Sequence, residues 1–181
     1  MSMYYLFLAD GFEETEALAT LDVMRRAGLS VQTVGVTGEY VASSHGVTVK
    51  SDIGIDDITR ESLEGAVLPG GMPGTLNLEK CAAVTDCVRY CHENGLLTAA
   101  ICAAPSILGH MGILNGKTAT CFPGFEKELT GAKYTAAHTE TDGCVITGKG
   151  AGCAVEFGRA IVAFAVSQEA ADKVLSDMQC F

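Results

Sequence analysis

Residues 4–35 read YYLFLADGFEETEALATLDVMRRAGLSVQTVG, and they decide the class of fold. Tyr4–Leu8 is a compact apolar run of buried-strand length. A polar turn, Ala9-Asp10-Gly11-Phe12, follows it. Glu13–Ala27 is rich in helix formers, with Leu18, Leu21 and Met24 at three-residue spacing and Gly28 where a C-cap glycine belongs. Val31–Gly35 returns to strand character. Strand, helix, strand is a βαβ unit, which implies a parallel pair of strands.

The same alternation recurs outward from this unit. Ala66–Leu68 is a short buried strand ending in Pro69-Gly70-Gly71, and Leu78–Asn94 is expected to form one long helix stopped by Gly95. Leu97–Ile101 is a further strand, and Pro105 opens a helix at a position that suits its missing N–H. Lys117–Cys121 and Val145–Thr147 have strand character. Phe157, Ile161 and Phe164 keep helical spacing, and a last helix is expected over Gln168–Met178. Residues 36–60 are less regular and suit a hairpin. The sum is a mostly parallel sheet covered on both faces, in one domain over residues 1–181.

Composition narrows the function. With 48% apolar and 19% charged residues the chain is globular, and a net charge of −10 excludes a broad nucleic-acid-binding face. No apolar stretch is long enough to span a bilayer, and Met1–Leu8 lacks the basic leader of a signal peptide. A cytoplasmic protein with eight reduced thiols is the expectation.

Sites in such sheets gather at the carboxyl ends of the strands, which here means the turns after Leu8, Leu68 and Ile101. In Ala99-Ala100-Ile101-Cys102-Ala103-Ala104-Pro105-Ser106 a strand runs into a cysteine, small residues and a helix start. A sharp turn there would expose the sulfur to helix N–H groups, which favour a thiolate and can stabilise an oxyanion. A buried cysteine packed as a small hydrophobe fits the local pattern equally well. Gly70 and Gly71 allow close approach of backbone N–H groups to a substrate, or form an ordinary strand-to-helix turn. Their spacing, like that of Gly148, Gly150 and Gly152, is not a dinucleotide fingerprint. Glu13, Glu14 and Glu16 suit a helix N-terminus, and one of them buried beside a thiolate would hold a proton. Which of the three points inward is open at this level. Cys87 and Cys91 share a helix face without the spacing of a zinc site, so no metal is expected. His45, His92, His110 and His138 are scattered.

Taken in order, several motifs resemble the ThiJ/PfpI superfamily in its parkinsonism-associated protein deglycase branch, which is glyoxalase III-like. They are residues 9–16 (ADGFEETE), 22–28 (DVMRRAG), 67–71 (VLPGG), 100–105 (AICAAP), 148–150 (GKG) and Glu156-Phe157. The resemblance implies a flavodoxin-like three-layer sandwich, similar to class I glutamine amidotransferases, that forms a homodimer. It implies a nucleophile elbow at Cys102, a protonated partner at Glu16, and oxyanion donors at Gly71 and Ala103 beside Gly70. It places His45 and Arg26 near the dimer interface, with His45 reaching toward the partner's site. Many members carry a histidine after the following strand. Thr120-Cys121-Phe122-Pro123 puts Phe122 at that place, which weakens a protease reading.

The expectation is therefore a cofactor-independent enzyme acting on small reactive carbonyls, α-oxoaldehydes or their protein adducts. The alternative is an oxidative-stress redox sensor or chaperone that uses Cys102 without turnover.

Overall fold

The computed structural model describes residues 2–180. The elements run β1 (Met3–Leu8), α1 (Glu14–Arg26), β2 (Val31–Gly35), β3 (Tyr40–Ala42), β4 (Thr48–Lys50), β5 (Ile53–Gly54), β6 (Leu63–Leu68), α2 (Gly74–Lys80) and α3 (Ala82–Glu93). They continue β7 (Leu97–Ile101), α4 (Pro105–His110), β8 (Thr118–Ala119), β9 (Lys133–Tyr134), β10 (Thr139–Asp142), β11 (Val145–Gly148), α5 (Ala154–Ala165) and α6 (Gln168–Asp177). Seven strands form the central sheet in the order β10-β11-β7-β6-β1-β2-β5. All neighbours in it are parallel except β10, which pairs antiparallel with β11.

Side-chain alternation along β1 explains the three layers. Tyr5 and Phe7 point into one apolar cluster with Leu78, Val88 and Ile107 from α2, α3 and α4. Tyr4, Leu6 and Leu8 point into the other with Met24 of α1 and Phe157 and Ile161 of α5. Gly158 lets α5 close on α1, because a Cβ there would lie 2.8 Å from the Val23 side chain. The chain order reverses at β1, with β2 on one side and β6 on the other. Such a switch point opens a crevice at the strand carboxyl ends.

Two expectations, the single long helix and the Lys117–Cys121 strand, are corrected, while the helical spacing in α1 and α5 holds. The long helix over Leu78–Asn94 is two helices, because Cys81 adopts an extended backbone (φ −83°, ψ 109°) and ends α2 while starting α3. The stripe that α1 buries is Glu16, Ala17, Thr20, Val23 and Met24; Leu18 is exposed and Leu21 half-buried. Packing on α5 at Val23 and the inward turn of Glu16 set this rotation. Lys117–Cys121 contributes only β8, in a separate two-stranded sheet with β9. Its N–H groups go instead to side chains, Thr118 N–H to Asp142 Oδ2 and Thr120 N–H to Thr147 Oγ1. On α5, Phe157 and Ile161 are buried but Phe164 is exposed. The expected hairpin in residues 36–60 is present as β3–β4. Among the described residues no helix is long and apolar enough to cross a membrane, and every cysteine is a free thiol.

Candidate active site

The turns after β1, β6 and β7 converge at one place. Cys102 follows β7 with φ +66°, a left-handed conformation that a residue with a side chain adopts at a cost of about 1–3 kcal/mol. Two hydrogen bonds hold it there. The Cys102 N–H donates to the Gly148 carbonyl at 2.9 Å, and its own carbonyl accepts from the Phe122 N–H at 2.8 Å. The elbow is thus clamped between the end of β11 and the segment after β8. α4 begins three residues on, with Pro105 in its first turn.

The three glutamates at the start of α1 do different work. Glu13 caps the helix, its carboxylate accepting the Glu16 N–H at 2.7 Å. Glu14 pairs outward with His45 Nδ1 at 3.1 Å. Glu16 turns inward and is 1% exposed. Its Oε2 accepts the Gly70 N–H at 2.8 Å. Its Oε1 is buried with no partner among the protein's ordinary donors, and the Cys102 thiol faces the carboxyl.

Glycine at position 70 is a steric requirement. A Cβ there would lie 2.6 Å from Cys102 Cβ and 2.8 Å from Glu16 Oε2. Gly71 has φ +90°, and a Cβ on it would lie 2.5 Å from both the Glu13 nitrogen and the Gly11 carbonyl oxygen. The Gly71 and Ala103 N–H groups lie close enough to the sulfur to pull the thiol's pKa down in part. The residues expected to form an oxyanion pocket therefore stand beside the nucleophilic atom.

Electrostatics couple the pair. Burial pushes the Glu16 carboxyl up to about 7, against partial relief from the Cys102 and Gly70 hydrogen bonds. Burial also pushes the Cys102 thiol up, and the neighbouring carboxylate adds to this, outweighing the Gly71 and Ala103 donors. A thiol lowered by its helix alone, as the local sequence suggests, is not what this pocket produces. Two negative charges are disfavoured here, so near neutral pH one proton remains on the Glu16–Cys102 pair.

The other expected residues are placed differently. Arg26 is exposed near the far end of α1, paired with Asp22 at 2.7 Å. Ten residues of helix separate it from Glu16, roughly 15 Å, so it does not support Cys102 within this chain. His45 lies in the β3–β4 turn with its side chain 69% exposed, on Glu14 and not on Cys102. Glu13, Glu14 and His45 offer donor atoms within 4.8 Å of one another, but the cap and the Glu14–His45 pair already occupy them. Phe122 does stand beside Cys102, joined to it through its N–H, and supplies no imidazole. Sequence reasoning missed the clamping carbonyl of Gly148 and the capping role of Glu13. The Gly148-Lys149-Gly150 motif and the Glu13–Glu16 spacing were the available signals.

Residues 3–164 match the DJ-1/PfpI family. The chain belongs to that family. Among DJ-1/PfpI relatives, it is 36% identical to protein DJ-1 homolog A of Arabidopsis thaliana over 173 residues, 93% of this chain but 44% of that protein. The chain thus spans less than half the length of that relative. Glutathione-independent glyoxalase DJR-1.2 of Caenorhabditis elegans is 33% identical over 152 residues, 83% of this chain and 81% of that protein. The crystal structure of Drosophila melanogaster DJ-1beta superposes with a TM-score of 0.93 at 33% identity, covering 99% of this chain and 98% of that one. The DJ-1/PfpI fold therefore accounts for the flavodoxin-like sandwich and its crevice.

Proposed function

We propose that this protein is a cofactor-independent glyoxalase for α-oxoaldehydes, free or as protein adducts. The observation that carries the reading is the buried Glu16 carboxyl against the Cys102 thiol, with a pKa of about 7. That value suits a group that must both take and return a proton. Its similarity to a glutathione-independent glyoxalase supports the same reading.

The chemistry balances without a cofactor. Glu16 takes the thiol proton as the Cys102 sulfur bonds to the aldehyde carbon, and the new oxyanion is protonated to give a hemithioacetal. In this reading the Gly71 and Ala103 N–H groups stabilise the oxyanion. Glu16 then removes the proton from C1 and returns it to C2 through an enediol, leaving a thioester of the 2-hydroxy acid. Water hydrolyses the thioester, which releases the acid and restores the thiol. Thiol supply and proton transfer thus come from one chain. A symmetric dimer in the cytoplasm, with His45 directed toward the partner, completes the proposal.

The test is steady-state turnover of methylglyoxal. Cys102→Ser should abolish it. Glu16→Gln should lower it by about 10²-fold or more while thiol alkylation persists. If the wild-type protein shows no turnover, the redox-sensor reading takes its place.

A further inference from the structure

A groove of about 440 Å³ lies between the two segments that hold the Cys102 backbone, walled by Phe122, Pro123, Lys149, Ala151 and Gly152. We infer that it is a substrate subsite which selects α-oxoaldehydes with an aryl or branched-alkyl substituent over methylglyoxal. The inference rests on the glyoxalase reading and extends it to a substrate class.

Continuity with the elbow is the first argument. The Phe122 N–H binds the Cys102 carbonyl, and the Cys102 N–H binds Gly148, one residue before Lys149. The two walls are therefore fastened to the two sides of the nucleophile. The second argument is what the groove offers. Several of its polar groups are engaged: the Cys153 thiol donates to the Gly150 carbonyl at 3.0 Å, His138 Nδ1 pairs with Glu156 at 2.8 Å, and Lys149 Nζ donates to the Ala136 carbonyl at 3.3 Å. Phe122, Pro123 and Ala151 add apolar surface to the groove. The third argument is the Phe122 ring itself. It is 48% exposed and lies over Gly150, where a Cβ would come within 3.2 Å of Cδ2. A half-exposed aromatic ring on a backbone shelf suits stacking against a flat substituent. In this proposal an α-oxoaldehyde bonded to the Cys102 sulfur extends its C2 substituent toward this floor.

The experiment compares kcat/KM for phenylglyoxal and methylglyoxal in wild type, Phe122→Ala and Phe122→Leu. A parallel measurement needs no turnover: the rate at which Cys102 is alkylated by phenacyl bromide, whose bromide the sulfur displaces, against iodoacetamide. Wild type should favour the aryl compound in both comparisons. Phe122→Ala should reduce each preference about tenfold or more while iodoacetamide reacts as before; Phe122→Leu should keep part of the preference. Unchanged ratios in Phe122→Ala overturn the subsite. If neither aldehyde is turned over, the glyoxalase reading fails by itself and the alkylation ratios still decide the groove. Should Phe122→Ala not fold, Phe122→Gln replaces it, keeping side-chain length while removing the apolar face.

Discussion

Replacing Glu16 by glutamine should change how stability depends on pH. An ordinary glutamate titrates near 4.5, and Glu16 is held up to about 7. At ~1.4 kcal/mol per pH unit, the buried carboxyl then contributes about 3 kcal/mol of stability as long as it is protonated in the fold. The sign follows from proton counting. Between the two values the folded protein holds a proton that the unfolded chain has released, so raising the pH favours unfolding. The contribution is fully present below about 4.5 and is lost as the pH rises through about 7. Over an experimental window from pH 5.5 to 8.5, about 2 kcal/mol of it should disappear. Glutamine keeps the shape and has no such titration, so the difference in unfolding free energy between variant and wild type should move by that amount in the variant's favour. Urea unfolding of both proteins across the window measures it, and subtraction removes the groups they share. A flat difference would mean that Glu16 titrates as it does in water. The shared proton with Cys102, and the acid–base role built on it, would then be lost.

Gly70→Ala should cost roughly 1–3 kcal/mol and most of the turnover, since its Cβ would overlap Cys102 Cβ at 2.6 Å; full activity in this variant would refute the packing argument, and thermal melts with a methylglyoxal assay report both. Mild peroxide should oxidise Cys102 ahead of Cys87 and Cys91, which are at most 2% exposed, to a sulfinate resolved by peptide mass mapping; earlier modification of either helix cysteine would deny Cys102 its special status. Sedimentation at micromolar concentration should show a symmetric dimer, and Leu18→Glu, on the exposed face of α1, should shift it toward monomer. A wild-type monomer would remove any cross-subunit role for His45.

How far the site was legible differs residue by residue. Cys102 could be singled out because a strand, a reactive residue, small residues and a proline are contiguous in sequence, and the elbow they form is local. Gly70 and Gly71 were visible as glycines, but the reason for them was not, since it is the bulk of Cys102, Glu16 and the Gly11–Glu13 backbone arriving from elsewhere. Glu13, Glu14 and Glu16 are nearly indistinguishable by spacing alone. Arg26 and His45 were tied to an interface by resemblance, and within one chain they sit on Asp22 and Glu14.

Sequence by itself determined the alternation of strands and helices, the parallel sheet and the carboxyl-end location of the site, because hydrophobic period and turn chemistry are properties of neighbouring residues. The tertiary structure alone decided which glutamate is buried, where Leu78–Asn94 breaks, that Lys117–Cys121 stays out of the main sheet, and that the thiol is pushed up and not down. Each of these depends on groups far apart in the chain, and burial and Coulomb interaction act through space, so no local pattern could have revealed them.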